Sequence, residues 1–169
     1  VTLYMSNSNP VNELTIEQVR KIYEGDITNW KQVGGNDARI ILYGRENSSG
    51  TYVFFKDNVL DGDDFSPAMQ SIPGTAGVVN AVAKDPNGIG FGGAAYAKGV
   101  KHAKLKEDKD SPAYDPTEDN IRSGKYPLSR YLYMYTRSRP SGALKDFIDW
   151  VLSNEGQAVV TKVGYFPVK

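Results

Sequence analysis

The chain of 169 residues contains no cysteine and a single histidine. The lack of thiols excludes a disulfide scaffold, a cysteine-ligated zinc or iron–sulfur site and thiol catalysis. One histidine excludes a multi-histidine metal centre, and we expect neither a metal ion nor a cofactor. The histidine, His102, lies among lysines and lacks the acid and nucleophile of a catalytic triad, so we expect a surface side chain.

An excess of charge of one sign is also lacking, because 20 Lys and Arg balance 20 Asp and Glu. Nucleic-acid-binding domains usually carry a basic excess, so a nucleic-acid partner is not expected. No apolar run approaches the ~18 residues that a membrane span needs. The 40% hydrophobic and 24% charged shares are typical of a globular protein. The length fits one domain over residues 1–169.

Short apolar runs alternate with segments of helical periodicity. Residues 15–24 have apolar side chains at helical spacing, Thr15 is a candidate N-cap, and Gly25 ends the pattern. Strands are predicted at 2–6, 39–43, 89–92, 100–104 and 131–136, and further helices at 49–60, 75–84, 142–152 and 155–163. Strands separated by helices indicate an α/β fold with a mixed sheet flanked by helices.

The most informative segment, residues 39–55, is a predicted strand, a polar loop and a helix start. A helix N-terminus exposes unpaired N–H groups and a partial positive charge, which suits a phosphate-like anion. The first turn carries the hydroxyls of Ser49 and Thr51 around Gly50, where the backbone can approach a ligand closely. Just before it, the Arg45 guanidinium can bind a tetrahedral oxyanion through two hydrogen bonds. An ordinary helix cap and a surface ion pair explain the same spacing, so both interpretations stay open.

The pattern of Arg45, three residues, and then Ser49, Gly50 and Thr51 resembles the signature of the phosphate-binding proteins of ABC-type phosphate importers, the PstS family. Further segments that resemble this family span the chain: 9–24, 25–35, 88–92, 126–130 and 141–167. The resemblance implies a type II periplasmic-binding-protein-like lobe. It also implies that Arg45, Ser49, Gly50 and Thr51 bind phosphate, because those positions contact phosphate in the family.

The resemblance implies a non-enzymatic function: the solute-binding component of an ABC-type phosphate importer, or an isolated lobe of it, delivering inorganic phosphate to a membrane permease. The location would be the periplasm, or the exterior of a Gram-positive cell as a membrane-tethered form. Family members clamp the anion between two lobes, and the resemblance begins at the second, so we expect the first lobe to be missing from these 169 residues. We therefore expect the second lobe plus the C-terminal segment, which binds phosphate weakly alone.

One position departs from the family pattern. Family members often have an acid two residues after the Arg, and here that place is Asn47, with Glu46 beside it. An acid there would orient the Arg side chain, so the sequence does not predict what orients Arg45. Thr75, at the start of another predicted helix, is a further candidate for the same cleft.

Several alternatives stay open. The chain could bind another tetrahedral oxyanion, such as sulfate, phosphonate or arsenate, or use the same fold for sensing or adhesion. A phosphoryl-transfer domain using Arg45 and Ser49 would need a general base, metal ligands or a P-loop lysine, which the sequence lacks. Residues 88–93 fit a dinucleotide-binding glycine pattern. A helix and a turn precede them instead of a strand, so close backbone packing is the prediction.

Overall fold

The computed structural model describes residues 1–168. The chain divides into two compact units, Val1–Ser129 and Arg130–Lys169. The first unit contains the sheets and the segment with the predicted anion site, and the second contains two helices. The single domain expected from the length, and the absence of a first lobe, both stay predictions.

The first unit is built on a mixed five-stranded sheet. Among the described residues, the strands are β1 (Thr2–Met5), β2 (Glu13–Thr15), β3 (Ile41–Arg45), β4 (Gln70–Ile72), β5 (Gly88–Gly92), β6 (Lys101–His102) and β7 (Lys104–Lys106). The sheet order is β4-β3-β5-β1-β6, and β2 and β7 form a separate parallel pair. β3 is parallel to β4 and β5, whereas β1 is antiparallel to β5 and β6.

Helices connect and flank these strands. They are α1 (Ile16–Glu24), α2 (Gly50–Asn58), α3 (Thr75–Lys84), α4 (Glu118–Arg122), α5 (Gly142–Val151) and α6 (Asn154–Lys162), with 3₁₀ turns at Trp30–Val33 and Ala94–Tyr96. The predicted N-cap of α1 is confirmed, because Thr15 Oγ1 accepts from the Gln18 N–H at 3.1 Å and Gln18 Oε1 accepts from the Thr15 N–H at 2.9 Å. The helix ends at Gly25 with φ 95°, as predicted. The α/β fold with a mixed sheet flanked by helices is confirmed.

An aromatic cluster joins α1, α2 and the sheet. The ring of Tyr23 on α1 lies 4.9 Å from that of Phe55 on α2, and the Phe55 ring stacks at 4.1 Å on Phe91 of β5. All three side chains are fully buried. Such pairs contribute about 0.5–1.5 kcal/mol each beyond the area they bury. The cluster therefore fixes α2 relative to α1 and to β5.

The glycines of β5 allow α3 to lie directly on the sheet. A Cβ atom added at Gly90 would lie 2.6 Å from Val78 Cγ1, and one added at Gly92 would lie 2.6 Å from Thr75 Cγ2. Neither distance leaves room for a side chain. The close backbone packing predicted for residues 88–93 is confirmed, and it sets α3 against the strand.

In the second unit, the predicted pair of helices is confirmed as α5 and α6. The strand predicted at 131–136 is wrong. The side chains of Tyr131, Tyr133 and Tyr135 are 65%, 70% and 91% exposed, and no part of residues 1–168 pairs with this segment as a strand. An alternating pattern forms a strand only beside a neighbour that accepts its backbone hydrogen bonds.

His102 is partly buried, so the expectation of a surface histidine is wrong. The Tyr126 hydroxyl donates to Thr2 Oγ1 at 3.1 Å, and Thr2 Oγ1 lies 3.2 Å from His102 Nδ1. Burial lowers the pKa of His102, and the opposing effect of Asp115 is smaller. The network joins β1, β6 and the segment after α4 around a neutral imidazole.

The lowered pKa of His102 predicts how the stability of the fold depends on pH. Its contribution should be complete above the ordinary histidine pKa of 6.5 and should decrease as the pH falls below that value, because the unfolded chain then binds the proton more readily. Urea unfolding of the wild type and of His102→Gln from pH 8 to pH 5 measures this. The wild type should lose stability relative to the variant below pH 6.5. A difference that is constant with pH would contradict the burial effect.

Candidate anion-binding site

A tight turn places the four predicted site residues at one edge of the sheet. β3 ends at Arg45, and the Ser49 N–H donates to the Glu46 carbonyl at 2.9 Å. Ser49 is the N-cap of α2, and its Oγ accepts from the Thr51 N–H at 3.2 Å. The side chains and backbone of Arg45, Ser49, Gly50 and Thr51 thus belong to one strand–turn–helix element. Ligands of α/β sheets bind beyond the carboxyl ends of strands, where this element lies.

Two neighbours orient the Arg45 guanidinium. The Glu46 carboxylate accepts from Arg45 Nε at 3.1 Å and from Nη2 at 2.9 Å. On the other side, Arg45 Nη1 donates to Thr75 Oγ1 at 2.7 Å. The Arg45 side chain is 14% exposed, so this arrangement is largely shielded from water. A guanidinium carries five N–H donors, so these contacts leave donors for a ligand.

Glu46 is the orienting acid that the sequence did not predict. In an extended strand, consecutive side chains point to opposite faces, which argues against contact between Arg45 and Glu46. Glu46 is the first residue after β3, and the turn to Ser49 ends this alternation. The signal in the sequence was the acid directly beside the Arg, at the point where the strand gives way to polar turn residues.

The Glu46 carboxylate is ionised at neutral pH. Its hydrogen bonds with Arg45, and further bonds from backbone N–H groups that include Gly74 at 3.3 Å, lower the pKa of Glu46 to about 2. The Arg45–Glu46 pair therefore has no net charge. Attraction of an anion to this edge must come from directed N–H and O–H donors.

Thr75, the further candidate from the sequence, lies at the same edge. It is the first residue of α3, whose N-cap is Gly74 with φ 72° and without a capping side chain. β4 is parallel to β3, so the chain leaves β4 toward the end of the sheet where Arg45 lies. The strand order therefore brings Thr75 to Arg45 across 30 positions of sequence.

A surface cavity of about 590 Å³ lies elsewhere in the first unit. It is lined by Ile16, Glu17, Arg20, Lys21, Glu24, Asn58, Val59, Asp61 and Glu107. Arg20 is engaged there by Glu24 at 2.7 Å and Asp63 at 2.8 Å. The cavity does not include the four predicted site residues, which lie at and beyond the carboxyl end of β3.

Within residues 1–168, no three His, Cys, Asp or Glu side chains are grouped so that they could hold a metal ion. None of the helices in that range is long and apolar enough to span a membrane.

Comparison with known proteins gives consistent matches. A family model described as a PBP superfamily domain matches residues 1–155. The phosphate-binding protein PstS of Pseudomonas aeruginosa is 35% identical in an alignment that covers 99% of this chain and 57% of that protein. The chain thus spans little more than half the length of this curated relative. The resemblance to the PstS family predicted from the sequence is confirmed.

Two solved structures are also similar. One is a phosphate ABC transporter substrate-binding protein from Clostridium perfringens with bound phosphate, with a TM-score of 0.83 and 32% identity, covering 99% of this chain and 68% of that one. The other is an ABC-type phosphate transport receptor from Vibrio cholerae, with a TM-score of 0.82 and 32% identity, covering 98% of this chain and 68% of that one.

The site predicts an unusual titration for Glu46. Its carboxyl should titrate near pH 2 in ¹³C NMR spectra, because Arg45 stabilises the ionised form. In the Arg45→Ala variant, the midpoint should move up toward the ordinary value of 4.5. A wild-type midpoint near 4.5, or one that is the same in the variant, would contradict the pairing.

Proposed function

The chain belongs to the PBP superfamily, and we propose that it binds inorganic phosphate reversibly as the solute-binding component of an ABC-type phosphate importer, or as an isolated lobe of that component. The observation that carries this proposal is the Arg45 guanidinium, which is held by Glu46 and Thr75 and lies in the strand that leads into the Ser49 cap of α2. The names of the similar proteins from P. aeruginosa and V. cholerae support the choice of phosphate.

The proposed phosphate ligands are the Arg45 guanidinium, the hydroxyls of Ser49 and Thr51, and the backbone of the turn at Gly50. Ser49 Oγ accepts from the Thr51 N–H, so its own proton is left to donate to an anion. The N-terminus of α2 adds a partial positive charge at the same point. This set of donors suits an oxyanion of tetrahedral shape, and charge-assisted bonds from Arg45 provide the strongest contacts.

We propose binding without catalysis. A phosphoryl-transfer reaction at Ser49 would need a base to take the hydroxyl proton. The carboxylate in the same turn, Glu46, is engaged by Arg45 and has a pKa of about 2, so it is a poor proton acceptor at neutral pH. These properties favour reversible capture of the anion.

A first lobe outside these 169 residues would supply the remaining phosphate contacts. The share of 57% that the chain covers in its P. aeruginosa relative supports this proposal. Within the second unit, the rings of Phe147 and Trp150 lie 6.4 Å apart, and the two residues are 55% and 44% exposed. Apolar side chains exposed together commonly mark a contact surface.

We further propose a membrane permease as the partner that receives the phosphate. The location would be the periplasm, or the exterior of a Gram-positive cell as a membrane-tethered protein. The relatives' names support the transport context, since the C. perfringens protein is described as an ABC transporter substrate-binding protein.

Arg45→Ala tests the proposed site. The substitution removes charge-assisted hydrogen bonds worth about 1.5–3 kcal/mol, so phosphate affinity should decrease roughly 10- to 100-fold in titration calorimetry. Arg122→Ala is the matched control. Arg122 pairs with Glu118 on α4, so its substitution removes the same charge elsewhere in the first unit. Equal affinities of wild type and Arg45→Ala for phosphate would refute the site.

The 169 residues alone should bind phosphate weakly, because they supply only part of the proposed set of ligating groups. Titration of the chain with phosphate measures this, and competition with sulfate, arsenate and a phosphonate measures selectivity. Sub-micromolar affinity of the isolated chain would contradict the need for a first lobe. Stronger binding of sulfate than of phosphate would favour the alternative oxyanion.

A further inference from the structure

Glu46 and Thr75 hold Arg45 in different ways. Glu46 is the next residue in the chain, so it moves together with Arg45 and the turn after β3. Thr75 belongs to α3, which packs on β3 and β5. The bond from Arg45 Nη1 to Thr75 Oγ1 therefore ties the guanidinium to a separate, packed element.

The lack of a side chain at Gly92 leaves room for the methyl group of Thr75. A Cβ atom at Gly92 would lie 2.6 Å from Thr75 Cγ2 and 2.7 Å from Tyr4 Oη. The Thr75 methyl group thus occupies the space that a side chain at Gly92 would fill. A threonine in a helix adopts one of two χ1 rotamers, and the space at Gly92 accommodates the methyl group of the one seen here. In this rotamer Oγ1 accepts from Arg45 Nη1 at 2.7 Å.

The start of α3 is bonded to both members of the pair. The Gly74 N–H donates to Glu46 Oε2 at 3.3 Å, while Thr75 accepts from Arg45 at 2.7 Å. Two consecutive residues at the start of α3 therefore contact the Glu46 carboxylate and the Arg45 guanidinium. This makes the direction of the guanidinium depend on the position of α3 as well as on the turn after β3.

We propose that Thr75 is a positioning residue for phosphate binding: seated against Gly92, it fixes the direction in which Arg45 offers its free N–H groups to the anion. The proposal rests on the phosphate-binding function proposed above. Thr75 acts through Arg45, and its hydroxyl is needed as an acceptor. Gly92 affects Arg45 only through Thr75, because any side chain at position 92 would displace the Thr75 methyl group.

The experiment compares Thr75→Val, Thr75→Ser and Gly92→Ala with the wild type. Valine keeps the shape of threonine and removes the acceptor, whereas serine keeps the acceptor. Thr28→Val is the matched control, because Thr28 is exposed in the loop before the Trp30–Val33 turn. Two quantities are measured: the ¹⁵N NMR signals of the Arg45 guanidinium without phosphate, and phosphate affinity by NMR titration.

We expect Thr75→Val to average the Arg45 guanidinium signals through faster rotation and to weaken phosphate binding roughly 3- to 10-fold. Thr75→Ser should retain most of both properties, and Gly92→Ala should change both in the same direction as Thr75→Val. Thr28→Val should change neither. Circular dichroism spectra of all variants verify that they are folded.

Two results would overturn the proposal. Unchanged guanidinium signals in folded Thr75→Val would show that Thr75 does not position Arg45, even if phosphate binding weakens. Failure of Thr75→Ser to restore the signals would also overturn it. If the wild type does not bind phosphate, the proposed function fails, but the guanidinium signals still decide whether Thr75 positions Arg45.

Discussion

The ion pair between Arg45 and Glu46 is the contact on which the site depends. A guanidinium with free rotation would present its donors in many directions, and a bidentate carboxylate removes most of that freedom. The same carboxylate cancels the charge of Arg45, so the site relies on the geometry of its donors. A site of this kind needs no excess of basic residues, and the chain has none: it contains 20 Lys and Arg and 20 Asp and Glu.

The core of the first unit holds this pair in place. Stacking of Phe55 on Phe91 fixes α2, and with it the Ser49 cap, relative to β5. The absence of a side chain at Gly90 and Gly92 brings α3 onto the same strand. Because β3, β4 and β5 are parallel, the elements that follow them begin at one edge of the sheet. Packing thereby brings the start of α3 to Arg45, which precedes the N-cap of α2 in the chain.

The sequence predicted what is local in the chain and missed what depends on tertiary structure. The element from Arg45 to Thr51 is contiguous, so the strand, the cap and the four candidate residues could be predicted from spacing and from a family resemblance. The roles of Glu46 and Thr75 could not, because one depends on the geometry of a turn and the other on the order of parallel strands. The segment around Tyr133 has a strand pattern, but a pattern cannot supply the neighbouring strand that it requires.

The central claim is that an oxyanion binds where Arg45 meets the first turn of α2. A ¹H–¹⁵N NMR titration of the chain with inorganic phosphate tests it most directly. The largest shifts should fall on the backbone signals of Ser49, Gly50 and Thr51 and on the Arg45 guanidinium, because the guanidinium and the hydroxyl donors of this turn would bond the anion. Signals of α4, on another part of the unit, should stay in place. Shifts centred elsewhere, with these donors unchanged at millimolar phosphate, would contradict the account.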